Sequence, residues 1–323
     1  MRYVLRTTFL AFFLTCLIAL PQGAWARSGP DSFADLAEKL LPAVVNISTT
    51  QTITQGQDFP EFDFQLPEGS PFNDFFEEFK KQHDRMDKGS KKRTSKATSL
   101  GSGFIIDPSG YVVTNNHVIQ DADEITVILH DDTNLTAKLI GRDPKTDLAV
   151  LKVEPKKPLT AVSFGDSDAV RVGDWILAIG NPYGLGGTVT TGIISARARD
   201  INSGPYDDFL QTDAPINRGN SGGPMFNMAG EVIGINTAIY SPTGGSVGIG
   251  FAIPSSMARN IIEQLKTTGT TERGWLGVRI QAVTQEIADG LGLGTARGAL
   301  VANITEGGPA DKAKFKTGDV IVS

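Results

Sequence analysis

Ser221 lies in Gly219-Asn220-Ser221-Gly222-Gly223-Pro224, where small residues on both sides of one hydroxyl let the main chain fold tightly around it. A serine hydroxyl alone is a weak nucleophile. It attacks a carbonyl only when a base takes its proton and preset N–H donors hold the charge that develops on the carbonyl oxygen. The chain must then supply a histidine and a carboxylate elsewhere. The pattern Gly-x-Ser-x-Gly also fits the strand-turn-helix elbow of α/β-hydrolases, whose histidine follows the serine. The three histidines, His83, His117 and His130, all precede Ser221, which excludes that plan.

Among them His117 is the candidate base, because Thr114-Asn115-Asn116-His117-Val118 closes the apolar strand Tyr111-Val112-Val113 and a strand end can hold an imidazole rigidly. His83 sits in the charged stretch Lys80-Lys81-Gln82-His83-Asp84-Arg85 and reads as solvated loop. His130 ends the strand Glu124–Leu129 beside Asp131-Asp132, where a turn is expected. The carboxylate must orient the imidazole through its other nitrogen, so it belongs at the edge of a packed element. Asp147 fits, standing immediately before the apolar run Leu148-Ala149-Val150-Leu151. Asp143, Asp131 and Asp132 are assigned to turn chemistry.

The elements that must position these groups read as many short strands. Ala43–Ser48 starts the first barrel, and Ser99–Ile106 and Tyr111–Thr114 flank the turn Asp107-Pro108-Ser109-Gly110 as a hairpin. Further strands are expected at Glu124–Leu129, Leu135–Ile140, Leu148–Val153, Trp175–Ile179, Thr188–Ala196, Val232–Ala238 and Val247–Ile253. Asp31–Leu41 reads as an amphipathic helix stopped by Pro42. Pro254-Ser255-Ser256 is expected to cap a second helix through Leu265, ending at Thr267-Thr268-Gly269. Short strands with the order His117, Asp147, Ser221 predict an all-β, chymotrypsin-like double β-barrel.

The amino terminus reads as an export signal. Arg2 and Arg6 precede the twelve-residue stretch Phe9–Leu20, and Ala24-Trp25-Ala26 supplies a cleavage pattern. That stretch is too short to span a bilayer, which takes about 20 residues. Residues 1–26 are therefore the expected signal peptide, and 27–269 the protease domain. Cys16, the only cysteine, falls inside that signal, so stability must come from packing without disulfides. Removing Arg2 and Arg6 from the 30 basic residues leaves 28 against 36 acidic ones, a net charge near −8. Nucleic acid is not an expected partner, and a membrane surface is not indicated. No metal-ligand spacing and no nucleotide-binding loop appears, so no cofactor is expected. Between about 50 and 97 the chain turns charged and proline-containing but carries seven phenylalanines, from Phe59 to Phe79. That composition suits a partner surface, since a solvating loop needs no such anchors.

Together, Thr114–Val118, Thr146-Asp147-Leu148-Ala149-Val150, Gly219–Pro224 and Gly248-Ile249-Gly250-Phe251-Ala252-Ile253-Pro254 resemble the HtrA family of Do-like (DegP-like) periplasmic serine endoproteases, from about Asp31 to the last residue. The resemblance implies cleavage of unfolded or misfolded exported proteins in periplasmic quality control and stress response. The alternative is a peptide-binding chaperone or holdase whose proteolysis is dormant or secondary. It implies a homotrimer or higher oligomer, with the Phe-rich loop contacting neighbouring subunits. It also implies main-chain oxyanion donors in Gly219-Asn220-Ser221 and a first substrate pocket lined by Ile216 and Ile249, which would admit a small aliphatic side chain. Basic-cleaving proteases of this fold carry an acid six residues before the serine; here that position is Pro215. Residues 270–323 resemble a truncated PDZ domain (α+β), with Trp275-Leu276-Gly277 as the turn that would take the carboxylate of a C-terminal peptide.

Overall fold

The computed structural model describes residues 29–53, 95–181, 187–242 and 245–322. The expected signal peptide, His83 and most of the Phe-rich segment lie outside them. The chain divides into two compact units, Met1–Gly269 and Thr270–Ser323.

The first unit opens with helix α1 (Ala34–Leu40), which packs Leu36, Ala37 and the buried Leu40 onto the core. Pro42 follows the end of the α-helix, as expected. It sits in a following 3₁₀ turn, Leu41–Ala43, near the start of a helix where a missing N–H costs nothing. The first barrel contains β1 (Val44–Ile53), β2 (Ser95–Asp107), β3 (Tyr111–Asn115), the one-turn helix α2 (Asn116–Ile119), β4 (Glu124–Ile128), β5 (Asn134–Asp143) and β6 (Leu148–Val153). Its strands close in the order β1-β2-β3-β6-β5-β4. Closure leaves no unpaired edge, and alternate residues such as Ile47, Ile105, Val112, Val127 and Leu151 fill the interior.

The second barrel contains β7 (Trp175–Gly180), β8 (Thr188–Arg199), β9 (Phe209–Thr212), β10 (Pro224–Phe226), β11 (Val232–Ile239) and β12 (Gly250–Pro254), closed in the order β10-β11-β12-β9-β8-β7. The expected architecture of two barrels is present. β9 and β10 were not foreseen, being short and masked by turn residues. Pro224 reads against a strand, yet at the first position its lack of an N–H costs no ladder bond. β12 begins at Gly250 rather than at Val247, which is exposed.

One apolar cluster joins the barrels. Phe104 from the first and Phe226 from the second are both fully buried in it, with Leu148, Leu177 and Ile235. Each buried phenylalanine stabilises by about 1.5–3 kcal/mol, so this seam holds the two walls in fixed relation. Helix α3 (Ser255–Thr268) covers it with Ala258, Ile262 and Leu265, spaced three or four apart, and stops at left-handed Gly269. The cap differs from expectation. Neither Ser255 nor Ser256 caps through its own side chain; the Ser167 hydroxyl, far away in sequence, accepts from Ser256 N–H at 2.9 Å. Ser255 instead donates its hydroxyl to the Gly165 carbonyl at 2.8 Å.

The second unit has a three-stranded sheet of β13 (Val278–Ala282), β14 (Ala299–Ile304) and β15 (Val320–Ile321), with short helices α4 (Gln285–Leu291) and α5 (Pro309–Lys312). β13 pairs only with β14, leaving its other edge open among the described residues. Ala288, Val301 and Ala310 are buried, while Ile280 and Leu291 remain exposed.

Candidate active site

Strand register brings the first two candidates together. Asn115 at the end of β3 pairs with Leu148 at the start of β6, so the residues just beyond each strand face one another. His117 lies in α2, two residues past the end of β3, rather than at the strand end itself. Asp147 adopts a left-handed conformation (φ 56°), which aspartate tolerates better than most side chains. Its carbonyl accepts from Asn116 N–H at 3.1 Å and from the Asn115 amide at 2.8 Å. Asp143 stabilises the preceding turn, accepting from Lys145 N–H and the Thr146 hydroxyl.

The Asp147 carboxylate then grips His117 twice. Oδ1 accepts from His117 N–H at 2.9 Å, and Oδ2 stands 2.6 Å from ring Nδ1. A carboxylate only accepts, so Nδ1–H donates, which makes Nε2 the lone-pair nitrogen of the neutral ring. The two side chains are 10 % and 13 % exposed, shielded but reachable.

Thr237 joins this pair to the second barrel, and sequence reasoning missed it. Its hydroxyl donates to Asp147 Oδ2 at 2.8 Å, and its carbonyl accepts from Ser221 Oγ at 3.4 Å. The β11–β12 register shifts between Asn236 and Ala238, and such an irregularity re-aims a side chain out of a strand's alternation. Nothing in one buried, apolar-looking strand marks that residue in advance.

Ser221 sits in the turn between β9 and β10. Asn220 N–H donates to the Asn217 carbonyl at 3.0 Å, and Gly219 has φ 94°. A positive φ at the third residue selects a type II turn, whose central peptide is flipped relative to type I, and glycine permits this without strain. Among the described residues the N–H groups of Gly219 and Ser221 have no acceptor. The expectation that Asn220 shares in an oxyanion site is corrected here: its N–H is consumed within the turn, and its side chain is 3 % exposed.

Gly222 (φ 83°) leaves no room for a side chain. A Cβ there would lie 2.2 Å from the Ser102 carbonyl and 2.3 Å from the Thr114 hydroxyl. Strain in φ and overpacking act together, so Gly222→Ala should cost about 3 kcal/mol or more. A thermal melt should then show a fall of roughly 6–12 °C. An unchanged midpoint would refute the tight approach of β2 to this turn.

The remaining expected residues are placed as follows. Ile216 is buried in the second barrel, where a Cβ on Gly250 would come within 2.8 Å of it. Ile249 packs instead against Ile201, Ala238 and Phe251, so the two isoleucines fall in different apolar clusters. Pro215 is exposed. His130 is exposed in the turn after β4, where Asp131 accepts from Thr133 N–H at 3.1 Å. In the second unit, the Leu276 carbonyl accepts from Ala310 N–H at 2.9 Å and the Gly277 carbonyl from Thr305 N–H at 2.8 Å, with Trp275 largely exposed. Among the described residues no group of three or more His, Cys, Asp or Glu could hold a metal, and no helix is long and apolar enough to cross a membrane.

Paired barrels with a histidine and an aspartate on one and a turn-held serine on the other define a trypsin-like peptidase fold. The family described as trypsin-like peptidase domain matches residues 101–235, which include all three. More particularly, the chain belongs to the HtrA-type, DegP-like serine proteases. It is 55 % identical over 308 residues to a probable periplasmic serine endoprotease DegP-like of Brucella suis biovar 1 (strain 1330), covering 90 % of this chain and 60 % of that protein. It is 52 % identical to the protein of the same description from Rhizobium meliloti (strain 1021), covering 90 % and 61 %. The solved structure of the HtrA-type protease AlgW with a decapeptide matches at a TM-score of 0.69 and 42 % identity, over 90 % of this chain and 85 % of that one. The chain thus spans about 60 % of the length of the curated relatives it matches.

Proposed function

We propose that this protein is a serine endoprotease that cleaves extended, unfolded polypeptides by acyl transfer to Ser221. His117 Nε2 takes the hydroxyl proton and later returns it to the leaving amine, while Asp147 holds the ring and stabilises the imidazolium. The N–H groups of Gly219 and Ser221 receive the oxyanion, and losing one such donor typically costs about 3 kcal/mol in the transition state. The observation that carries this reading is the double grip of Asp147 on His117 at 2.9 and 2.6 Å, joined through Thr237 to Ser221. Water then releases the acyl-enzyme.

For the first pocket the reading is a small aliphatic residue, supported by the burial of Ile216 beneath Gly250 and by an exposed proline where an acid would attract Lys or Arg. Such a pocket separates neighbouring aliphatics by only about 1–3 kcal/mol per methylene, so preference is broad. Periplasmic residence after removal of residues 1–26 is supported by the names of the relatives and by the signal-like amino terminus. Assembly into a homotrimer, and capture of peptide C-termini by strand addition where the PDZ domain is complete, belong to the same reading. The relatives' description as serine endoproteases supports this reading over the alternative of a chaperone whose proteolysis is dormant or secondary.

Digestion of unfolded casein by the full chain, with cut sites mapped by mass spectrometry, tests the proposal. Cuts should fall after Val, Ala and similar residues. Cuts clustered after Lys or Arg would overturn the pocket assignment, and intact casein would overturn the activity.

A further inference from the structure

Ser102 stands in β2 between two glycines that tolerate no side chain: a Cβ at Gly101 would lie 2.5 Å from Val118 and one at Gly103 2.8 Å from the Val113 carbonyl. In this crowded strand Ser102 nonetheless carries a hydroxyl, fully buried at 0 % exposure, and the hydroxyl faces the seam between the barrels. It donates to the Gly219 carbonyl at 2.5 Å and accepts from Asn181 N–H at 2.7 Å. The Ser102 N–H donates to the Ser221 carbonyl at 2.9 Å, and its own carbonyl accepts from the Thr114 hydroxyl at 2.7 Å. One residue of the first barrel therefore grips the nucleophile turn at two carbonyls and ties it to the end of β7.

The placement of those two carbonyls matters. The Gly219 carbonyl belongs to the peptide before the one that bears the Ser221 N–H, and the Ser221 carbonyl to the peptide after it. The peptide whose N–H would face an oxyanion is thus bracketed by two that Ser102 holds. The Gly219 N–H lies one peptide earlier in the same type II turn. Because catalysis by such donors depends on their being fixed before charge develops, the grip bears on the transition state more than on substrate binding.

We propose that Ser102 is a positioning residue for the oxyanion donors, acting through its hydroxyl on the Gly219 carbonyl. This rests on the protease reading above. In Ser102→Ala the main-chain grip on Ser221 survives, and only the hydroxyl contacts to Gly219 and Asn181 are lost. The fold should persist while the turn loosens.

The test uses the full chain and its Ser102→Ala and Ser102→Thr variants. It reads kcat and KM on a short peptide with Val before the cut, affinity for a peptide boronate that forms a tetrahedral adduct on the serine, and the thermal midpoint. Ser102→Ala should lower kcat by about 10- to 100-fold, because the loosened turn no longer holds its donors fixed before charge develops. Boronate affinity should fall by a similar factor and the midpoint by a few degrees, the cost of two buried partners left without a hydrogen bond, with KM within about twofold, since a grip on the transition state need not touch ground-state binding. Ser102→Thr, which keeps the hydroxyl, should recover most of the rate. A kcat for Ser102→Ala within about threefold of the parent, a rise in KM alone, or boronate affinity unchanged while kcat falls would each overturn the inference, because none is a selective loss of transition-state binding. If the alanine variant does not fold, Ser102→Cys, similar in size but a weak hydrogen-bond partner, should show the same fall, and parental kcat in it would be fatal. Failure of the parent to react with a serine-directed phosphonate would sink the protease reading and this inference together. A labelled parent with an unimpaired Ser102→Ala sinks this inference alone.

Discussion

Ser221→Ala should slow casein breakdown by about 10⁵- to 10⁶-fold while leaving the fold intact. The loss is large because the hydroxyl is the group to which the acyl chain transfers, and no other described side chain stands in the turn to replace it. The fold is spared because Ser221 is held by its backbone. Its carbonyl accepts from Ser102 N–H at 2.9 Å, and the next residue donates from Gly222 N–H to the Asn236 carbonyl at 2.8 Å. The hydroxyl itself makes only a long contact, 3.4 Å to the Thr237 carbonyl. The thermal midpoint should therefore move by little, as expected of a surface-accessible change with no named destabilising mechanism. Adding His117→Ala to Ser221→Ala should cost nothing further, since a base without a nucleophile has no proton to take. Casein digestion by Ser221→Ala at a tenth of the parental rate or more would mean that the nucleophile lies elsewhere.

Asp147→Asn should lower kcat by about 10⁴-fold with little change in shape or stability of the site. Asparagine can keep one of the two contacts to His117, because its carbonyl oxygen still accepts from the main-chain N–H now 2.9 Å from Oδ1. The other position, 2.6 Å from ring Nδ1, then presents an amide N–H to a nitrogen that had been donating. The ring resolves this by taking the opposite tautomer, which places its proton on Nε2 and removes the lone pair needed for the Ser221 hydroxyl. The Thr237 hydroxyl, which donates to the same carboxylate oxygen at 2.8 Å, loses its charged acceptor as well. Steady-state kinetics on a short peptide check this, and a fall of less than tenfold would show that Asp147 does not set the tautomer.

The groups that do the chemistry were legible in the sequence because their types and order are restrictive. Three histidines, all upstream of Ser221 in Gly219-Asn220-Ser221-Gly222-Gly223, leave few arrangements, and Asp147 announces itself before the apolar strand Leu148–Val153. The two-barrel architecture was legible for the strands with apolar or β-branched runs, such as β3, β6 and β11. What escaped notice was set by tertiary contact. β9 has four residues and β10 three, too few for alternation to rise above the surrounding turn residues. The stop of α1 ahead of Pro42 was legible, and only the 3₁₀ turn that follows, Leu41–Ala43, was not. The α3 cap comes from Ser167, nearly ninety positions away, so no local pattern could reveal it.

The same holds within the site. Thr237 reaches Asp147 across ninety residues, and Ser102 reaches Gly219 across 117. Both are small hydroxyl residues inside strands, where a single sequence offers no sign that the hydroxyl matters. Asn220 fails in the other sense: its place between Gly219 and Ser221 suggests a donor, but the type II turn consumes its N–H.

The claim at the centre of this account is that the Ser221 hydroxyl is activated as a nucleophile. Intact-mass analysis after incubation with a peptidyl phosphonate, followed by mapping of the modified peptide, tests it most directly. One adduct is expected, located on Ser221, absent from Ser221→Ala and formed far more slowly in His117→Ala. An unmodified parent, or an adduct that forms at the parental rate in Ser221→Ala, would contradict it.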